Sequence, residues 1–191
     1  MIHFLGDIKV LHPTQLTEAS SFLSELMGKK ENFYIYGGGT DLVPYFKNYS
    51  ANCSTVVSLN RIDSLKEIHL ISGNNTEIEV GSQTKLAELI KNPLIQKRLS
   101  GLAEAAATVA SPQIRNQASV GGNLLVNNRC RFFNQSPLNR SYHDSCYKAG
   151  GEVCHVVKNA KRGDPILCRA RFVSDLAPVL LTLDAKLRLL T

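Results

Sequence analysis

Four of the five cysteines, Cys130, Cys146, Cys154 and Cys168, fall within 39 residues, at steps of 16, 8 and 14. Thiolates gathered this way can hold a metal or a redox centre, and in a reducing compartment clustering favours that chemistry over disulfides. No C-x-x-C is present, so the common zinc-ribbon and ferredoxin spacings are excluded. The spacing alone leaves three readings open: a structural zinc, an iron–sulfur cluster, or unrelated buried thiols. A second chemistry is written in glycine. Gly37-Gly38-Gly39-Thr40-Asp41 and Ser119-Val120-Gly121-Gly122-Asn123 are both short glycine-bearing turns. Glycine permits positive φ and lets backbone N–H groups approach an anion without a Cβ in the way. Two such loops, with the hydroxyls of Thr40 and Ser119, suit a ligand carrying two phosphates. Neither is a G-x-G-x-x-G fingerprint or a P-loop, and a tight structural turn accounts for each taken singly.

The elements that must position these residues follow from periodicity. Residues 8–11 read as a strand. A helix capped by Thr14 or Thr17 runs to about Met27, with Leu16, Ala19, Phe22, Leu23 and Leu26 on one face and Gly28 as its stop. Phe33–Tyr36 is a strand that runs straight into the first glycine turn, and 55–59 is another. A hairpin over 65–80 turns at Ser72-Gly73-Asn74-Asn75. Thr84 caps a helix over 85–91, which Asn92-Pro93 breaks. Helices over 94–99 and 102–110 then end before Ser111-Pro112.

Residues 126–173 differ in character, being polar, basic and cysteine-bearing with little periodicity, and they read as an insertion within a folded scaffold. From Asn128 to Arg171 nine Lys/Arg face three Asp/Glu, in a chain of net charge +6. That basic surface suits an acidic partner or an anionic ligand, with a solvated basic loop as the plain alternative. Nucleic acid is disfavoured because no binding motif accompanies the charge. A segment of this length with few large apolar residues cannot readily pack itself, and a metal site would order it. No apolar run spans a bilayer and the N-terminus lacks a signal-peptide pattern, so the expected setting is cytoplasmic, with no membrane contact.

The motifs resemble a known family. Tyr34 to Pro44 is similar to the first flavin motif of the FAD-binding subunits of the xanthine dehydrogenase and carbon monoxide dehydrogenase family. Ser111-Pro112-Gln113-Ile114-Arg115-Asn116-Gln117-Ala118-Ser119-Val120-Gly121-Gly122-Asn123 resembles the second. Ser174 to Pro178 with Leu183-Asp184-Ala185 resembles the segment that completes the site. The resemblance implies an α+β fold of the vanillyl-alcohol oxidase type, with two subdomains, 1–60 and 61–191, clasping FAD. It implies that the backbone of Gly38, Gly39, Thr40, Asp41 and Leu42, with Ser119, Gly122 and Asn123, holds the pyrophosphate, and that Gly37 also binds the cofactor. Asp175 would serve the adenosine ribose, or cap the helix after it. Ile35 and Leu124 would be apolar neighbours of the flavin or adenine. The usual C-terminal domain of such subunits would follow Ala185, so the chain departs from the family pattern there and reads as a fragment or a truncated homologue.

Within the insertion, Asn128 to Ser136 and Cys146 to Val157 resemble the beta subunit of 4-hydroxybenzoyl-CoA reductase. There the implied ligands of a [4Fe–4S] cluster are Cys130, Cys146, Cys154 and Cys168, although the stretch Lys158 to Leu167 is longer than the resemblance implies. His155 is expected as a structural neighbour of that site and Cys53 as a buried structural thiol. The implied role is electron transfer. The implied partners are a molybdopterin-containing large subunit, which carries the substrate site, a [2Fe–2S] small subunit and a ferredoxin donor. The alternatives are the flavin subunit of another molybdenum hydroxylase, acting on a purine, an aldehyde or another aryl-CoA, and a non-catalytic zinc-stabilised binding module.

Overall fold

A computed structural model describes residues 7–49, 53–71, 73, 76–157 and 168–190. The chain divides into two compact units, one of residues up to Leu125 together with those from Ser174, and one of Val126–Val173. The smaller unit coincides with the segment set apart by its composition. The remaining residues of the two expected subdomains pack as one unit.

In the larger unit, β1 (Lys9–Leu11), β2 (Phe33–Tyr36) and β3 (Thr55–Ser58) form a parallel sheet of order β1-β3-β2. β3 pairs on both sides, Val57 with Leu11 and with Ile35. All four of its residues are buried, as expected for a central parallel strand covered on both faces. Helix α1 (Leu16–Gly28) lays Ala19 and Leu26 into this core. Its ends differ from the sequence expectation. No side chain caps it. Instead the Thr14 N–H donates to the Glu18 carboxylate at 2.7 Å. The stop is not Gly28 but Lys30, at φ +55°, where the Lys30 N–H donates to Met27 O and the Glu31 N–H to Leu26 O. That is the Schellman closure with a lysine in the left-handed position.

Helix α2 (Leu42–Tyr49) follows the first glycine turn. Two short 3-10 turns, Leu59–Arg61 and Asp63–Leu65, then lead to the antiparallel hairpin of β4 (Ile68–Leu70) and β5 (Ile78–Val80). The hairpin covers a helical core made by α3 (Leu86–Lys91), α4 (Pro93–Arg98) and α5 (Ser100–Thr108). Leu86, Leu89, Ile95, Leu102 and Ala106 are buried in it, together with Leu176 from beyond the smaller unit. Asn92 and Pro93 break one helix by starting the next, since Asn92 Oδ1 accepts from Leu94 N and Ile95 N. Thr84 does not cap α3. Its hydroxyl donates to Lys66 O, and Glu88 reaches back to the Lys85 N–H instead. Helices α6 (Pro112–Arg115) and α7 (Val120–Leu124) carry the second glycine motif, and α9 (Ala177–Thr182) lies beyond the smaller unit in the chain.

Among its described residues the smaller unit holds one helix, α8 (Pro137–Ser141), capped by Ser136, and a 3-10 turn at Tyr147–Ala149. Among its described residues only Cys146 is buried. Residues Lys158 to Leu167 lie outside those described.

Candidate functional site

The first glycine turn is built by close approach. Gly39 has φ +72°, and a Cβ there would lie 2.5 Å from the Tyr36 ring. A Cβ on Gly38 would lie 1.9 Å from Gln117 O, and one on Gly37 would lie 3.0 Å from Ser119 Oγ. The two glycine motifs therefore touch, and they touch because the first carries no side chains at the contact.

The second motif is not a loop. Ser119, 1% exposed, is the N-cap of α7 and accepts from Gly122 N at 3.2 Å. Its backbone is fixed by a bridge to Lys85, in which Leu86 N donates to Ala118 O and Val120 N to Thr84 O. Arg115 stabilises the approach to this motif by donating to Val109 O at 2.7 Å and Ala110 O at 3.2 Å.

Asn123 does something the sequence did not suggest. Its Oδ1 accepts from Ser174 Oγ and Leu176 N, and its Nδ2 donates to the Asp175 carboxylate at 3.0 Å. One side chain thus joins the chain on either side of the 126–173 segment. Asp175 does not cap the following helix, because Ser174 Oγ accepts from Ala177 N. Thr40, Asp41 and Leu42 carry the first turn into α2. Ile35 is 52% exposed, open to a ligand, whereas Leu124 packs against the helical core.

The first two motifs frame a residue that sequence reasoning missed. Gln83 is buried, and its Oε1 has no hydrogen-bond partner. A Cβ on Gly37 would meet both ends of its carboxamide at 3.2 Å. An orphaned polar atom at the meeting point of two glycine motifs fits a site whose remaining partner is a polar ligand. The residues present are compatible with a dinucleotide such as FAD.

In the smaller unit, Cys130, Cys146, Cys154 and Cys168 line a single recess, with Phe132 and Tyr147 beside them. Local structure explains the convergence. Arg129 and Arg171 exchange backbone hydrogen bonds at 3.0 Å, which brings the Cys130 and Cys168 ends together. Gly150, at φ +82°, and Gly151, where a Cβ would lie 1.6 Å from Ser145 O, fold Cys154 back beside Cys146. The Cys130 N–H is held by Asn134 Oδ1, and Ala170 N donates to Cys168 Sγ at 3.4 Å. His155 stacks on Phe132 with centroids 4.1 Å apart, and its Nε2 lies 2.8 Å from Asp144 O. Among the described residues no three His, Cys, Asp or Glu lie close enough to hold one metal ion. Cys53 stands apart in the larger unit, half-buried, with its thiol donating to Thr55 O and pushed up in pKa by burial.

The family of FAD-binding domains in molybdopterin dehydrogenases matches residues 6–191. The chain belongs to this family. It is 32% identical over 112 residues to the carbon monoxide dehydrogenase medium chain of Hydrogenophaga pseudoflava, covering 59% of this chain and 37% of that protein. It is 31% identical over 120 residues to the nicotinate dehydrogenase FAD-subunit of Eubacterium barkeri, covering 63% and 39% respectively. The solved Hydrogenophaga pseudoflava carbon monoxide dehydrogenase superimposes with a TM-score of 0.57 at 30% identity, over 63% of this chain and 40% of that one. The chain thus spans about 40% of the length of the relatives it matches. Among the described residues no helix is long and apolar enough to cross a membrane.

Proposed function

We propose that this chain is the FAD-binding part of an electron-transfer subunit in a molybdenum-containing oxidoreductase, and that its smaller unit holds a [4Fe–4S] cluster on Cys130, Cys146, Cys154 and Cys168. The observation that carries the reading is the pairing of two sites in one family member: touching glycine motifs in one unit and four thiols on one recess in the other. The vanillyl-alcohol oxidase-type architecture belongs to the same proposal.

Bound FAD and an iron–sulfur cluster would supply the electron-transfer chemistry, which side chains cannot. The chain's own residues bind and tune. The glycine turns admit the diphosphate, with Ser119 and the N-terminal end of α7 beside it. In the smaller unit the cysteines would hold the cluster through their sulfurs, and the surrounding basic side chains and N–H groups would offset its negative charge.

In the assembled enzyme the partners would be a molybdopterin-containing large subunit and a [2Fe–2S] small subunit. A ferredoxin, acidic where this unit is basic, would be the donor. The insertion's likeness to the 4-hydroxybenzoyl-CoA reductase beta subunit supports reductive dehydroxylation of an aryl-CoA as the reaction of the whole complex. Relatives named for carbon monoxide and nicotinate dehydrogenases keep other substrates in view, since substrate is chosen on the partner.

Quantifying metal, sulfide and flavin on anaerobically purified protein tests both halves. The expected result is iron and acid-labile sulfide at about four of each per chain, with FAD taken up. Zinc without iron overturns the cluster, and failure to take up FAD overturns the flavin role.

A further inference from the structure

Three glycine-bearing segments meet in the larger unit. The third, Gly81-Ser82-Gln83-Thr84, leaves β5 much as Gly37-Gly38-Gly39-Thr40 leaves β2. Its backbone is pinned on both sides. A Cβ on Gly81 would lie 2.2 Å from Leu65 O, Gln83 N donates to Leu65 O at 2.7 Å, and Gly121 N donates to Ser82 O at 2.8 Å. The Gln83 side chain is 4% exposed and lies against Gly37, where the Ser119 hydroxyl also arrives. Yet its Oε1 makes no hydrogen bond. Folding has spent a fixed backbone and two glycines on enclosing a carboxamide that the protein leaves unsatisfied. Such a group is costly unless something outside the chain completes it.

We propose that Gln83 is a ligand-binding residue, which donates its carboxamide NH2 to a diphosphate oxygen of the bound dinucleotide beside Gly37 and Ser119. This rests on the FAD reading above and deepens it. The oxygen and nitrogen of an amide exchange places by a half-turn, so the NH2 can occupy the orphan position. A phosphate oxygen accepts and never donates, so a carboxamide serves there and a carboxylate repels. The resulting bond is charge-assisted. It also explains why position 37 is a glycine, since any larger residue displaces the amide.

The experiment compares the 191-residue chain with Gln83→Met and Gln83→Glu, using FAD and ADP as separate titrants in calorimetry, together with the melting temperature of each ligand-free protein. Gln83→Met is expected to weaken both ligands about tenfold, the effect of one hydrogen bond to an anionic oxygen. Gln83→Glu should weaken them further. The ligand-free Gln83→Met protein should melt no lower than wild type, because it loses an unsatisfied polar atom. Unchanged affinity in both variants overturns the proposal. So does weakened FAD binding with ADP unaffected, or a ligand-free protein that melts several degrees lower, which would make Gln83 a structural residue. A wild-type chain that binds neither FAD nor ADP overturns the flavin reading itself, and this proposal with it.

Discussion

The two units of this chain are held together by different means. The larger has an apolar core in which Leu86, Leu89 and Ile95 are fully buried, and a sheet whose central strand is covered on both faces. The smaller buries one described residue, a cysteine, and otherwise relies on turns, a stack of Phe132 with His143 and His155, and Arg140 and Lys148 over the Phe133 ring. Charge divides the same way. The Asn128–Arg171 segment carries nine Lys/Arg and three Asp/Glu, which accounts for the whole +6 of the chain. Hydrophobic burial explains why the first unit folds. It does not explain the second, whose one buried described residue is a cysteine on the recess that the four thiols line.

The sharpest way to break that contrast is to remove one of the proposed cluster ligands. Because structural metal sites contribute on the order of 10 kcal/mol, Cys146→Ser should abolish the protein's visible iron absorbance and open 126–173 to proteolysis while 7–125 stays resistant. If 126–173 resists protease equally well in that variant and in iron-free protein, the unit packs by itself. In the larger unit the corresponding lesion is apolar. Leu89→Ala should cost about 2–5 kcal/mol in denaturant unfolding and leave iron content unchanged. Gly38→Ala is next: its methyl would meet Gln117 O, so about 3 kcal/mol of stability and most FAD affinity should go. Gly28 is the control, since a Cβ placed on it would have nothing within 4 Å. Gly28→Ala should gain about 0.5–1 kcal/mol.

Asn123→Ala strips the partners from Leu176 N and Ser174 Oγ and should cost about 2 kcal/mol in thermal unfolding. The smallest effect is alkaline. Burial first, and Tyr45 second, raise the Tyr34 phenol to about 12, above its ordinary value of about 10. The folded state holds this proton more tightly, so its contribution is complete below pH 10 and is lost as pH climbs through 12. Tyr34→Phe should flatten that decline by under about 1 kcal/mol, measured as unfolding free energy between those two pH values.

Much of this arrangement was legible in the sequence. β-rich runs gave the strands, Asn92-Pro93 marked a helix start, and the four cysteines that share a recess were conspicuous by composition. The failures have physical causes. Gly28 looked like a helix stop, but the left-handed position falls two residues on, where the carbonyls of Leu26 and Met27 find their donors. The Gly121-Gly122 pair looked like a loop, but Ser119 caps it and Val120 is buried, so it winds into a helix. Asn123 bonds residues more than fifty positions away, a relation that no local period encodes. Gln83 is a neutral amide in an unremarkable stretch, and the only clue was that Gly81-Ser82-Gln83-Thr84 echoes the first motif.

The fastening at Asn123 has a consequence for the 126–173 segment. Within the larger unit this one side chain bonds Ser174 and Leu176, so the seam closes whatever lies between Leu125 and Ser174. Within the smaller unit the paired backbones of Arg129 and Arg171 close the other side of the same cut. A segment sealed at both ends behaves as a cassette. Its removal would leave the register of the scaffold intact, and on the proposed function it would take the redox centre away while keeping the nucleotide site.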